Sequence, residues 1–80
     1  MKYVYLLESI SHPSKHYVGI TSDLNKRLTD HNNGNSPYTA KLQPWRIVVV
    51  VRFADDRKAN AFEKHLKSGS GHVFAKRHFW

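Results

Sequence analysis

"KHYVGITSDLNKRLTDHN", Lys15 to Asn32, runs from an extended segment through a glycine into a helix, and the rest of the chain is ordered around that junction. "HYVGI" reads as a strand. Asp23, or Ser22 just before it, is suited to accept hydrogen bonds from the exposed amides of a helix beginning at Leu24. "NNGNSP" stops that helix, with Gly34 able to take the left-handed conformation that closes a last turn.

Upstream, "KYVYLLE" (Lys2 to Glu8) is rich in β-branched and aromatic residues and reads as a second strand. The turn-like "SISHPSK" joins the two as a hairpin with a loop of moderate length. Downstream, "SPYTAKLQP" reads as a polar loop and "WRIVVVVRF" as a third strand. Its unbroken valines point to burial on both faces, as in the middle or a well-covered part of a sheet. A second helix is expected from Asp55 or Asp56 to about Lys67, ended by "SGSG", with a short terminal helix in "HVFAKRHFW". The expected class is α/β of the α+β kind, a small three-stranded, mainly antiparallel sheet flanked by helices in the order β-β-α-β-α-α. No boundary or repeat divides residues 1–80, so one domain is expected.

Eighty residues bury only about 60–65% of the surface the unfolded chain exposes, so one modest core has to suffice. The hydrophobic share of 40% is enough for a packed fold and too high for a disordered tail. There is no cysteine, which excludes disulfides and thiolate metal sites. Lysine and arginine outnumber aspartate and glutamate by 13 to 6, a net charge of +7. That balance favours a polyanionic partner, nucleic acid before an anionic membrane. Met1 to Ile10 lacks the features of a signal peptide, and Ile47 to Val51 is far below the roughly 20 residues a membrane span needs. A soluble, cytoplasmic protein without membrane contact is the expectation.

Three groups of residues bear chemistry. On the first helix Leu24, Arg27, Leu28 and His31 form one stripe, so two leucines anchor it while Arg27 and His31 share its margin. A guanidinium held there offers a planar fork to a phosphate. On the next helix Ala59, Phe62, Glu63 and Leu66 repeat the spacing, placing Glu63 beside the apolar face. Such a carboxylate needs a cation: either Lys67, four residues on, or a hard divalent metal that keeps its waters. In the hairpin, Tyr5 and Tyr17 can lie side by side, either as core filling or as part of a site, and Gly19 leaves room for a ligand to approach. The six histidines form no H-E-x-x-H motif of the zinc-protease kind.

"YVY", then 11 residues, then "YVG", an arginine eight positions after that glycine and a glutamate in a later helix together resemble the GIY-YIG nuclease superfamily. The likeness extends through "SDLNKRLTDHN", "PWRIV" and "AFEKHLKSGS", nearly the whole chain, and is greatest to small single-domain bacterial members related to the excision-repair nuclease subunit. One departure is plain: Tyr3 stands where the family has glycine, while the second tyrosine of the motif is kept as Tyr5.

The resemblance implies a metal-dependent endonuclease that hydrolyses DNA phosphodiesters. Glu63 would hold one Mg2+ or Mn2+ ion, Arg27 the phosphate, and Tyr17 the attacking water as base or orienting group. His31 would be a competing base, and Tyr5 would hydrogen-bond the water or a phosphate oxygen. Lys41, Arg46, Lys67, Lys76 and Arg77 are the expected nucleic-acid contacts. With no base-reading helix, the expected DNA is branched, nicked or single-stranded and read with little sequence preference, target choice coming from a protein partner. The alternative is a nucleic-acid-binding or partner-dependent module with little activity of its own on the same scaffold.

Overall fold

Val4, Tyr5, Leu6 and Leu7 alternate between opposite faces of one strand, yet all four are buried. That strand therefore has to be covered on both sides. The computed structural model, which describes Met1–Trp80, shows how. β1 (Lys2–Ser9) is the middle of a three-stranded antiparallel sheet ordered β2-β1-β3, with β2 (His16–Thr21) and β3 (Trp45–Phe53) on its flanks. α1 (Leu24–Asn32) and α2 (Pro37–Ala40) follow β2, and α3 (Asp56–Leu66) and α4 (Gly69–His78) follow β3.

Val4 and Leu6 pack with Ala59 and Leu66 of α3 and Ala75 of α4, joined by Val18, Ile20, Val49 and Phe53 from the sheet. Tyr5 and Leu7 pack on the other face with Trp45, Leu24, Leu28, Leu42 and Ile47. The result is a sheet between two helical layers. No helix is long and apolar enough to cross a membrane.

Two readings of the sequence are corrected here. The valine-rich β3 is an edge strand, paired only with β1, and Val50 is exposed. Its lack of alternation has a different cause. The register shifts between Leu6, opposite Val49, and Leu7, opposite Ile47, so Val48 is an extra residue in the strand. A one-residue insertion reverses the facing of everything before it. Trp45 and Ile47 thus join the α1 side, while Val49 and Phe53 stay on the α3 side. The second correction concerns "SPYTAKLQP", which contains the short α2, so the full order is β-β-α-α-β-α-α.

Helix ends follow the sequence closely. The Asp23 side chain accepts a hydrogen bond from Lys26 N at the start of α1, and Asp55 accepts from Arg57 N and Lys58 N at the start of α3. Gly34 has φ +76° just beyond α1. Ser68 accepts from Gly71 N and caps α4, so most of "SGSG" lies inside the last helix. Gly71 is there for closeness: a Cβ would lie within bonding distance of the His65 carbonyl in the last turn of α3.

Gly71→Ala is therefore expected to push α4 off α3 and to destabilise the fold by about 2 kcal/mol, lowering the Tm by about 10 °C. Thermal unfolding followed by circular dichroism measures this.

Candidate active site

Tyr5 lies opposite Gly19 across the hairpin. The tyrosine ring crosses directly over the glycine, since a Cβ there would stand 2.3 Å from both Cζ and Oη of Tyr5. The space expected to admit a ligand is thus filled by the protein's own phenol. Gly19 serves the site by letting Tyr5 lie flat and reach α1.

The Tyr5 hydroxyl is the centre of a directed chain of hydrogen bonds. His31 Nδ1 lies 2.8 Å from Thr39 Oγ1, and the Thr39 hydroxyl donates to the Ser36 carbonyl at 3.4 Å. Thr39 has one proton, so it accepts from Nδ1–H, and His31 Nε2 is left as an acceptor. Tyr5 O–H, 2.9 Å from Nε2, donates to it. The phenol oxygen in turn accepts from Arg27 Nε at 3.3 Å. Each group has one consistent role, and no buried side-chain polar atom in the protein lacks a partner.

The acid–base properties follow from that packing. Burial, opposed by Arg27, raises the Tyr5 pKa. Burial and then the positive charge of Arg27 lower that of His31, which keeps the imidazole neutral. The bond to Tyr5 raises that of Arg27 further, with a contribution from Tyr17.

All five of the anticipated residues gather here, at different depths. Tyr5 and His31 are fully buried, and both ring nitrogens of His31 are bonded, so neither touches solvent. Arg27 and Tyr17 are half-buried. The Tyr17 ring meets His31 edge-on at 4.9 Å between centres and lies 6.4 Å from the Tyr5 ring. Glu63, on α3, is near enough to act electrostatically on Tyr5. Its side chain is 19% exposed and paired with Lys67, whose Nζ also sits 5.8 Å from the centre of the Tyr17 ring. The site therefore brings together α1 from one helical layer and α3 from the other at the open edge of β2.

The donor set bears on the metal. No three histidine, aspartate or glutamate side chains converge anywhere in the protein, and of the five residues gathered here Glu63 is the one carboxylate. One carboxylate suits a magnesium-sized ion, which keeps most of its water and shares substrate oxygens. Lys67 shows that the Glu63 position already demands a positive charge, and with half its side chain exposed the lysine has room to leave. The residues fit such an ion.

The expected nucleic-acid contacts divide into two groups. Lys41, Lys76 and Arg77 are exposed and have no acidic partner. Arg46 is committed to Glu8 through Nε at 3.0 Å and Nη2 at 2.7 Å, which holds the Glu8 carboxyl below its ordinary pKa, and Lys67 is committed to Glu63. Sequence reasoning missed Thr39, which fixes the His31 tautomer. Its only signal was "SP" ahead of it, a proline suited to the first turn of a helix.

His31 carries a pH dependence. Its folded pKa lies below the unfolded value of about 6.5, so the stability it contributes is complete above that pH and is lost as pH falls through the folded value. Melting temperatures measured from about pH 7 to pH 5 are expected to fall less steeply in His31→Gln than in the wild type.

This geometry coincides with the result of comparison with known proteins. Residues 1–77 match the family model described as the GIY-YIG catalytic domain. The chain is 37% identical over 82 residues to the structure-specific endonuclease subunit SLX1 of Candida dubliniensis, which covers 94% of this chain and 27% of that protein. It is 33% identical over 66 residues to a UPF0213 protein of Streptococcus pneumoniae serotype 4, covering 81% of this chain and 65% of the relative. A UPF0213 protein of Clostridium perfringens is 35% identical over 68 residues, covering 84% and 71%. The chain thus spans about a quarter of the SLX1 relative and about two thirds of the UPF0213 relatives. With two phenols, an arginine, a histidine and a glutamate meeting at one sheet edge, this chain belongs to the GIY-YIG nuclease family.

Proposed function

We propose that the protein is a divalent-metal-dependent endonuclease that hydrolyses DNA phosphodiesters at structural discontinuities, with little sequence preference. The observation that carries this is the tether on Arg27: Nε is bonded to a buried phenol, which holds the guanidinium in place beside Tyr17. A guanidinium immobilised in this way is suited to grip two non-bridging phosphate oxygens. It also offsets charge that builds on the phosphorus-bound oxygens as water attacks.

Tyr17 is the phenol at the open side and orients the attacking water or, as the phenolate after losing its own proton to solvent, takes the water's proton. The water oxygen forms the new bond to phosphorus, and the departing sugar oxygen takes a proton from solvent. Tyr5 and His31, buried behind Arg27, act through it as positioning residues, so His31 does not compete with Tyr17 for the water. Glu63 would hold the ion, with Mg2+ or Mn2+ supplying Lewis-acid polarisation of the phosphate. Lys67, paired with Glu63 here, would be free to face the DNA once Glu63 held the ion.

The likeness to UPF0213 proteins, about two thirds of whose length this chain spans, supports placing it beside them in the family. The relative named a structure-specific endonuclease subunit supports a preference for DNA structure and a protein partner that directs the cut.

Cleavage of flapped, nicked and linear DNA in Mg2+ or Mn2+ tests the reading. Glu63→Gln, Arg27→Ala and Tyr17→Phe are each expected to lower the rate about 100-fold or more. Intact binding with no cleavage by the wild type leaves only a DNA-binding module. A separate expectation concerns affinity. If Lys41, Lys76 and Arg77 neutralise phosphates, log affinity for duplex DNA falls against log salt with a slope of about −3.

A further inference from the structure

At the outer edge of β2 lies a cleft of about 380 Å³ that starts at Tyr17 and Lys67 and extends beyond the catalytic residues. Its lining includes the rings of His16, Tyr17, Tyr38 and Trp80. His16 and Trp80 are stacked, with ring centres 3.7 Å apart and planes 3° from parallel. His16 Nε2 lies 3.7 Å from a Glu8 carboxylate oxygen, and the backbone N–H of Trp80 donates to the Ala75 carbonyl at 2.9 Å. Lys15, Lys67 and His72 also line the cleft, and no aspartate or glutamate does. A second hollow of about 510 Å³ continues past Trp80 and His16 to Lys76.

We propose that this cleft binds an unpaired nucleotide of the strand being cut, its base stacked on the aromatic lining and its phosphates met by the lysines. The proposal rests on the nuclease reading and adds the part of the substrate that is recognised. Flat rings with exposed faces suit a nucleobase, and a base within a duplex has both its faces already covered by its neighbours. Tyr38 is 62% exposed and Trp80 36%, so both present aromatic surface to solvent. An acidic peptide would satisfy the lysines but offers no flat partner for the rings. The cleft joins the catalytic residues at Tyr17 and Lys67, which places the unpaired nucleotide next to the scissile phosphate. Preference for DNA that leaves a duplex then arises from stacking at this position.

The experiment uses the full chain carrying Glu63→Gln, so that binding is read without cleavage. A labelled oligothymidylate of about twelve nucleotides and a blunt duplex of the same length are titrated by fluorescence anisotropy. Trp80→Ala and Tyr38→Ala are each expected to weaken single-strand binding about tenfold and duplex binding less than about twofold. Trp80→Phe, which keeps a ring, retains most of the affinity. In the parent chain the oligonucleotide quenches tryptophan emission, and in Trp80→Phe it does not, because the remaining Trp45 is buried. Unchanged single-strand affinity in Trp80→Ala and Tyr38→Ala, or equal losses on both DNAs, overturns the proposal. Should Trp80→Ala fail to fold by circular dichroism, Tyr38→Ala and the quenching comparison decide. Failure of the cleavage assay alone leaves this binding result standing, and loss of the binding preference leaves the nuclease reading standing.

Discussion

The hydroxyl of Tyr5 is the constraint on which the site depends. It sits over a glycine because nothing larger fits beneath its ring, and it is reached by two residues one turn apart on α1. One proton and one oxygen serve two partners: the proton goes to His31 and the oxygen receives Arg27 Nε. A buried network of this kind is useful only when every member is satisfied, because a single unpaired group would carry its full desolvation penalty. Here every member is satisfied, and the consequence reaches the surface as a fixed guanidinium. Asn32 ties the same helix to β3, accepting from Trp45 N at 2.6 Å, while Trp45 Nε1 donates to the Thr39 carbonyl at 2.9 Å. The short α2 is thereby locked where Thr39 can orient the imidazole.

Charge organises the opposite side of the site. Glu63 and Lys67 are one helical turn apart, and in the absence of substrate they neutralise each other. An ion pair with one half-exposed member is a weak bond and easily exchanged. The same lysine borders the aromatic cleft, so the ammonium that balances the carboxylate is also within reach of a nucleic-acid strand. Basic residues without partners, Lys41, Lys76 and Arg77, extend positive potential away from the centre. Arg46, equally exposed, is spent on Glu8.

Much of this was legible in the sequence, for identifiable reasons. Capping residues and glycines act locally, so Asp23, Asp55 and Gly34 marked helix ends correctly. The one-stripe spacing on α1 and α3 put Arg27, His31 and Glu63 at the margins of apolar faces, where they are found. The valine run misled because hydrophobicity is the same signal for a central strand and for an edge strand split between two faces by a bulge. The α2 turn was hidden because four residues carry too little periodicity to register. The depth of His31 was also invisible: position on a helix margin does not say whether solvent or a second helix covers it.

The amino-acid order by itself determined the elements other than α2, their succession and the positive balance, because these depend on residues close in the chain. Which face each strand residue took, which phenol was buried and which stayed at the open edge, and which basic residues were already paired were decided only in three dimensions. These outcomes turn on contacts between segments far apart in sequence, such as Tyr5 with His31 and Glu8 with Arg46. No local pattern encodes such meetings, since each requires the sheet register and both helical layers to be in place.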